Sequence, residues 1–340
     1  MNNENINKDE KLKEIKSKVD LENLKSDFFL IKVFNMMEKY KMLEIMKYNK
    51  KLQKRFNLNI NNYKEYSQLY SSIEIELKLD KKFSGKFINI PDSMKDYYHI
   101  YFDNSKEETN KTCLNKNEKI EKIKIIIDYQ IDSFKELFSQ CKCINSIIFK
   151  KFCRTNIIDM YNAFDGCSSL KNIDLTNFCS INVTNMSGLF YECRLLKKLN
   201  LSKLNTKKVI DMTNMFGHCK SLKELNLSNF DTSNVTNMCH MFYECTSLKE
   251  LDLSNFNTAN VTNMMGMFYG CSLLKKLNVS SFNTVKVFSM SSMFRKCCAL
   301  KELNVSNFNF SNVNYSDDMF DECSNLLKKK IKEQFKNLKI

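Results

Sequence analysis

A cysteine recurs every 26 residues along more than half of this 340-residue chain, at Cys141, Cys167, Cys193, Cys219, Cys245, Cys271, Cys297 and Cys323. A phenylalanine stands three residues before each of them (Phe138, Phe164, Phe190, Phe216, Phe242, Phe268, Phe294 and Phe320). Three residues after each stands a leucine or isoleucine (Ile144, Leu170, Leu196, Leu222, Leu248, Leu274, Leu300 and Leu326). A single globular core imposes no fixed spacing of this kind. An array of like units, each burying its apolar stripe against the next, does.

One unit shows the expected local structure. In Leu222–Cys245, Leu222, Leu225 and Leu227 form L-x-x-L-x-L, whose last residues alternate as in a short strand. Residues 229–234 are rich in Asn, Asp, Ser and Thr and predict a turn. Val235, Met238, Met241, Phe242 and Cys245 then recur at spacings of three and four, the apolar stripe of a short helix, with Ser233, Asn234 or Thr236 as its cap. The Phe and Cys columns fall on the inward face, where free Cys packs as a small hydrophobe. A degenerate first unit is expected over 119–141, with Ile120, Ile123 and Ile125, then Ile131, Phe134, Leu137 and Phe138. At the far end, 327–340 has Leu327, Ile331, Phe335 and Leu338 on one helical face and lysines elsewhere, as a basic cap helix requires; a basic membrane-surface helix competes with that reading.

The segments MFYECTSLKELDLSNFNTANVTNMMGMFYGC and LNLSNFDTSNVTNM resemble the BspA-type leucine-rich repeats, with the match running over about 120–326. The resemblance implies an α/β fold, a leucine-rich-repeat solenoid of parallel sheet plus short helices, used to bind other macromolecules and carrying no catalytic residues. Bacterial members commonly carry an export signal. The first residues here, MNNENINKDEKLKEIK, have no apolar run of that type, so an intracellular, cytoplasmic location is expected. No run approaches the length of an uncharged membrane helix.

Before the array, the chain divides into a charged, flexible segment (1–21), a helical hairpin (22–56) and a small β-rich region with a loop (57–118), together a small α+β region. In the hairpin, Leu30, Val33, Phe34 and Met37 make one stripe and Leu43, Met46, Leu52 and Phe56 a second. The hairpin also resembles an F-box, with Leu24-Lys25-Ser26-Asp27 in place of the usual Leu-Pro opening. That resemblance implies docking of a cullin-type ubiquitin-ligase adaptor at Leu30, Val33, Phe34 and Leu43. An ordinary helical hairpin is the simpler reading. In 57–118, Ile73–Leu79 alternates strictly, and residues 87–90 and 98–102 read as further strands; 103–118 is polar and reads as a loop.

Residue chemistry gives an enzyme nothing to work with. Six glycines leave little room for a phosphate cradle, and no P-loop, G-x-G-x-x-G or G-x-S-x-G occurs. His218 and His240 lie beside Cys219 and Cys239, but their spacing fits no zinc motif, and His99 sits in a strand pattern. No cofactor and no metal is expected. The 14 cysteines, in a chain of this length without an export signal, are expected as reduced thiols. A net charge of +14 suggests nucleic acid, yet it spreads as +4 over 1–140, +5 over 141–326 and +5 over 327–340, and only four of 53 cations are Arg. Forked phosphate and base recognition uses Arg, so nucleic acid is a poor expectation.

Function is therefore expected on the sheet face of the array. One outward column reads Lys171, Lys197, Lys223, Lys249, Lys275 and Lys301, and a neighbouring one Asp174, Asn200, Asn226, Asp252, Asn278 and Asn304. A solvated face that deters edge aggregation explains such columns; a docking surface for an acidic protein partner explains them too. The expected function is a non-enzymatic protein-binding scaffold. The alternatives are a ubiquitin-ligase substrate receptor and a surface adhesin exported by a route the sequence does not display.

Overall fold

The computed structural model describes residues 26–36, 45, 49–56, 71–128 and 130–334. The chain divides into two units, Met1–Tyr70 and Ser71–Ile340.

In the first unit, α1 (Asp27–Met36) and α2 (Lys50–Arg55) are helical as the apolar spacing predicts. The Asn49 side chain caps α2 by accepting the N–H groups of Lys51 and Leu52 at 3.1 and 3.0 Å. Leu30, Phe34 and Leu52 are buried. Phe34 meets Phe56 edge-on at 4.9 Å, and Asp27 pairs with Arg55 at 2.6 Å. Leu43, Met46 and the 1–21 segment lie outside the described residues, as does the side chain of Val33.

The second unit opens with β1 (Ile73–Leu79), β2 (Gly85–Lys86), β3 (Tyr98–Phe102), β4 (Glu108–Thr109), β5 (Cys113–Leu114) and β6 (Lys122–Ile127). The alternating segment at 73–79 and the strand at 98–102 form as predicted. The strand expected at 87–90 does not: Phe87 and Ile88 are buried, but pairing is confined to β2, and a 3-10 turn, Asp92–Tyr97, follows Pro91. The expected loop at 103–118 contains β4 and β5.

Within the array lie β7 (Ile144–Lys151), β8 (Asn172–Asp174), β9 (Glu250–Asp252) and β10 (Lys276–Asn278). Six strands form one sheet in the order β4-β3-β6-β1-β7-β8. The expectation of a wholly parallel sheet is corrected here, because the sheet is mixed. β7 runs parallel to β8 but antiparallel to β1, and β1 is also antiparallel to β6. The physical reason is that β1 occupies the flank of β7 where an earlier repeat strand would otherwise lie. Its Leu77 sits between Ile123 and Ile147, and Ile73, Ile75 and Leu77 are all buried.

The repeat helix is a second correction. Among the described residues of 130–324 there is no α-helix; residues 239–244 are consecutive turns. Their N–H groups alternate in direction. Met238, His240, Phe242 and Glu244 donate to Asn263, Met265, Met267 and Tyr269 of the next unit, at 2.7 to 3.0 Å. Met241, Tyr243 and Cys245 donate three residues back along their own coil. Left-handed backbone at His240 (φ 56°) and Glu244 (φ 55°) turns alternate peptides outward. Parallel bridges between successive units, from Ser133–Asp159 to Ser289–Tyr315, mark the same ladder. Three-residue turns bring Met238, Met241, Phe242 and Cys245 to one face as a helix would, so apolar spacing alone cannot separate the two. The residues expected to cap a helix have other tasks: the Asn234 side chain donates to the Lys207 carbonyl at 2.7 Å and Thr236 to that of Ile210 at 3.3 Å.

Side-chain ladders complete the stacking. Phe138, Phe164, Phe190, Phe216, Phe242, Phe268, Phe294 and Phe320 form one continuous near-parallel stack with centroids 5.3 to 5.9 Å apart. Each ladder cysteine from Cys167 to Cys323 donates its thiol to the carbonyl of the phenylalanine 29 residues earlier, as Cys245 does to Phe216 at 3.1 Å. Asn229, Asn255 and Asn307 donate amide protons to at least two carbonyls each in the preceding coil. The last coil is followed by α3 (Asn325–Gln334), which buries Leu327 and Ile331. Gln334 accepts the Val305 N–H and donates to the Leu303 carbonyl, both at 3.0 Å, closing the strand-side edge. Phe335 and Leu338 lie outside the described residues.

Candidate functional site

Every residue of the two sheet-face columns, Lys171 to Lys301 and Asp174 to Asn304, is exposed. The apolar residues that follow the Asp/Asn column turn inward: Leu201, Leu227, Leu253 and Val279 are buried. A groove of about 740 Å³ crosses the middle of this face, lined by Asn200, Lys223, Leu225, Asn226 and Lys249 among others.

The two columns differ in what occupies their polar atoms. Each Asp or Asn accepts the N–H two residues on, as Asn226 does from Ser228 at 3.0 Å and Asp252 from Ser254 at 3.0 Å. These side chains make Asx turns, which end β8, β9 and β10 at Asp174, Asp252 and Asn278, and such N–H donors hold the carboxyls of Asp174 and Asp252 below the usual carboxylate range. The sequence leaves this column open to a partner or to solvent; one oxygen of each is already committed to the turn.

Lysine pairing is uneven. The residue beside the column pairs within its own row, Lys198 with Glu224 at 3.3 Å and Lys276 with Glu250 at 2.8 Å. Lys171 lies 3.8 Å from Asp80. Among the described residues, no carboxylate lies within 4.0 Å of Lys197, Lys223, Lys249, Lys275 or Lys301, so five positive charges stand in register without compensation.

Opposite chemistry occupies the turn side. Tyr191, His218, Tyr243 and Tyr269 form a half-buried strip with centroids 4.6 to 5.3 Å apart, with His240 also edge-on to Tyr243 at 5.0 Å and the Lys296 ammonium 5.4 Å from the Tyr269 centroid. Gly266, at φ +56°, makes room for the His240 ring, since a Cβ there would lie 2.3 Å from Cδ2. Burial lowers the pKa of both histidines, and for His240 the neighbouring His218 acts in the same direction. This strip went unseen in the sequence because its columns change identity from unit to unit. Beside it lies a polar cleft of about 500 Å³ with Tyr161, Asp165, Tyr191 and Thr213 in its wall.

No group of three or more His, Cys, Asp or Glu among the described residues is placed to hold a metal ion. The thiols are free; burial pushes Cys219 and Cys271 up to about 12 and Cys245 well above its ordinary value. His99 lies between Glu108 at 3.0 Å and Asp128 at 3.4 Å. Burial lowers its pKa, but the two carboxylates outweigh that and raise it overall. Leu30 and Phe34, the two adaptor-docking candidates whose side chains are described, are each 1% exposed.

A family model described as "Mycoplasma protein of unknown function, DUF285" matches three overlapping stretches, 107–225, 158–272 and 218–334. The chain belongs to the DUF285 family. The DUF285 matches run across the whole cysteine ladder and α3. No curated protein matches the sequence. Among solved structures, the chain is similar to the crystal structure of a T. pallidum leucine-rich repeat protein, TpLRR, at 16% identity, covering 60% of this chain and 75% of that one with a TM-score of 0.35. No helix among the described residues is long and apolar enough to cross a membrane.

Proposed function

We propose that this DUF285 protein is a non-enzymatic binding scaffold, a leucine-rich-repeat solenoid whose sheet face engages an acidic protein. The observation that carries this reading is the set of uncompensated lysines. Neighbouring Lys198 and Lys276 find glutamates, while Lys197, Lys223, Lys249, Lys275 and Lys301 have no carboxylate within 4.0 Å among the described residues. If solubility alone shaped this face, the pairing that serves one row would serve its neighbour equally. At about 4.8 Å per strand, six lysines span about 24 Å, a length suited to an extended acidic segment. Partner carboxylates arriving there would meet charges already exposed, so attraction would speed encounter and fix register. The Asx turns beside the column hold the strand ends rigid, which lowers the ordering cost of binding.

The test uses a ten-residue polyglutamate peptide as the acidic probe and isothermal titration calorimetry as the readout. Reversing Lys197, Lys223 and Lys249 to glutamate should abolish measurable binding. Reversing Lys207, Lys220 and Lys286, which lie outside the L-x-x-L-x-L face, should change it little. Equal losses for both sets would mean that net charge alone attracts the probe, and the sheet-face reading would fail.

A further inference from the structure

The turn-side ladder is polar, and its two ends differ. In every unit the alternate N–H groups point toward the next coil and the matching carbonyls toward the previous one. The first coil therefore presents carbonyls, and those of Leu137 and Ser139 are occupied. Asn89 donates its backbone N–H to Leu137 at 2.7 Å and its side-chain amide to Ser139 at 2.7 Å and Glu136 at 3.0 Å. The last coil presents N–H groups, at Ser316, Asp318, Phe320 and Glu322. Their equivalents one unit earlier, Met290, Ser292, Phe294 and Lys296, all donate across to this coil at 2.8 to 2.9 Å. Among the described residues, no acceptor meets the four in the last coil. Ser316, Asp318 and Glu322 are exposed, and Asp318 and Glu322 hold left-handed backbone at φ 56°. α3 closes the strand-side edge at Leu303 and Val305, so the open row stays distinct from the capped edge.

We propose that this row takes an extended, lysine-bearing peptide segment of a partner, added as one further rung of the ladder. Four donors two residues apart call for carbonyls at the same interval, which an extended backbone supplies. Backbone of this left- and right-handed type also binds anions, but the side chains here oppose that. Asp317, Asp318, Asp321 and Glu322 surround the row, countered by Arg295, which reaches Asp318 at 2.6 Å and Asp321 and Glu322 at 3.3 Å, and by Lys296 at 3.7 Å from Glu322. Four carboxylates against two cations leave an acidic rim, so neutral carbonyls flanked by lysines fit where phosphate does not. A second copy cannot stack tail to tail, because donors would face donors, nor head to tail at Leu137 and Ser139, where Asn89 already sits. This site is separate from the lysine column, and either proposal can fail without the other.

The probe is an acetylated, amidated peptide copying residues 289–297 (SMSSMFRKC), whose Arg and Lys face the rim, added to the full-length protein under hydrogen exchange. Amides of Ser316, Asp318 and Glu322 should exchange freely in the protein alone and slow about tenfold on saturation, as expected for one added hydrogen bond each. Ser316→Pro removes a donor without breaking a native hydrogen bond, and Asp317→Lys reverses one rim charge. Each should weaken peptide affinity about tenfold with the unfolding midpoint unchanged. Peptide binding without protection of these amides overturns the proposal. So does protection already present in the free chain, which would mean that a segment of the protein itself occupies the row, or equal protection by inorganic phosphate, which would make it an anion site.

Discussion

The Thr232 hydroxyl donates to the Asn257 carbonyl at 3.0 Å and accepts the N–H of the same residue at 2.8 Å. Thr232 is 1% exposed. The same reciprocal pair recurs at Thr206–Asp231, Thr258–Asn283 and Thr284–Asn309, so one side chain per coil replaces a backbone rung between the sheet and turn sides. Thr232→Val keeps the shape and removes the partner of two part-buried backbone groups, the N–H and carbonyl of Asn257. A loss of about 2–3 kcal/mol is expected in denaturant unfolding, whereas Thr232→Ser should cost less than half of that.

The phenylalanine stack should be the costliest place to make a hole. Phe242 lies between Phe216 and Phe268 at 5.6 Å on each side and is fully buried. Phe242→Ala should destabilise by about 3–5 kcal/mol. Differential scanning calorimetry should show the whole array unfolding at lower temperature.

Strain offers a gain. Ser292 holds φ 54°, in the column where Gly188 and Gly266 hold similar angles. Ser292→Gly relieves the left-handed penalty of a side chain and should stabilise by about 0.5–1 kcal/mol. A Ser292→Ala variant, which keeps a Cβ, should show no such gain in the same unfolding measurement.

Histidines should act in opposite senses with pH. His99 is raised above its ordinary 6.5 by Glu108 and Asp128 after burial is overcome. Its contribution is therefore full below about 6.5 and is lost as pH rises through the raised folded value. Burial lowers His218 and His240, so their contribution is full above about 6.5 and is lost as pH falls toward their depressed values. Unfolding free energy measured against pH should lose its acid-side decline in His218→Asn/His240→Asn, and its decline just above pH 6.5 in His99→Asn.

The array itself was readable because each inward column repeats one residue type: phenylalanine rings must stack on phenylalanine rings, and the Cys245 thiol meets the Phe216 carbonyl only at a fixed register. The turn structure was not, because Met238, Met241, Phe242 and Cys245 share a face whether the backbone is helical or built of three-residue turns. Only the left-handed angles at His240 and Glu244 separate these, and neither residue type announces them. β1 was seen as a strand from its alternation, but no local pattern says that Leu77 will sit against Ile147 of the first repeat. On the sheet face, the lysine column was visible as a column. That Lys198 would find Glu224 while Lys223, among the described residues, would find no carboxylate within 4.0 Å follows only from the stacking of coils.

The most direct measurement is lysine reactivity in the native complex: reductive dimethylation of the full-length protein in extracts of its own cells, free and partner-bound, read by mass spectrometry. Protection on binding is expected at Lys197, Lys223, Lys249, Lys275 and Lys301, with Lys207, Lys220 and Lys286 labelled equally in both states. Uniform labelling of the sheet-face column in the bound state, or protection confined to the other three, would contradict a binding scaffold that works through this face.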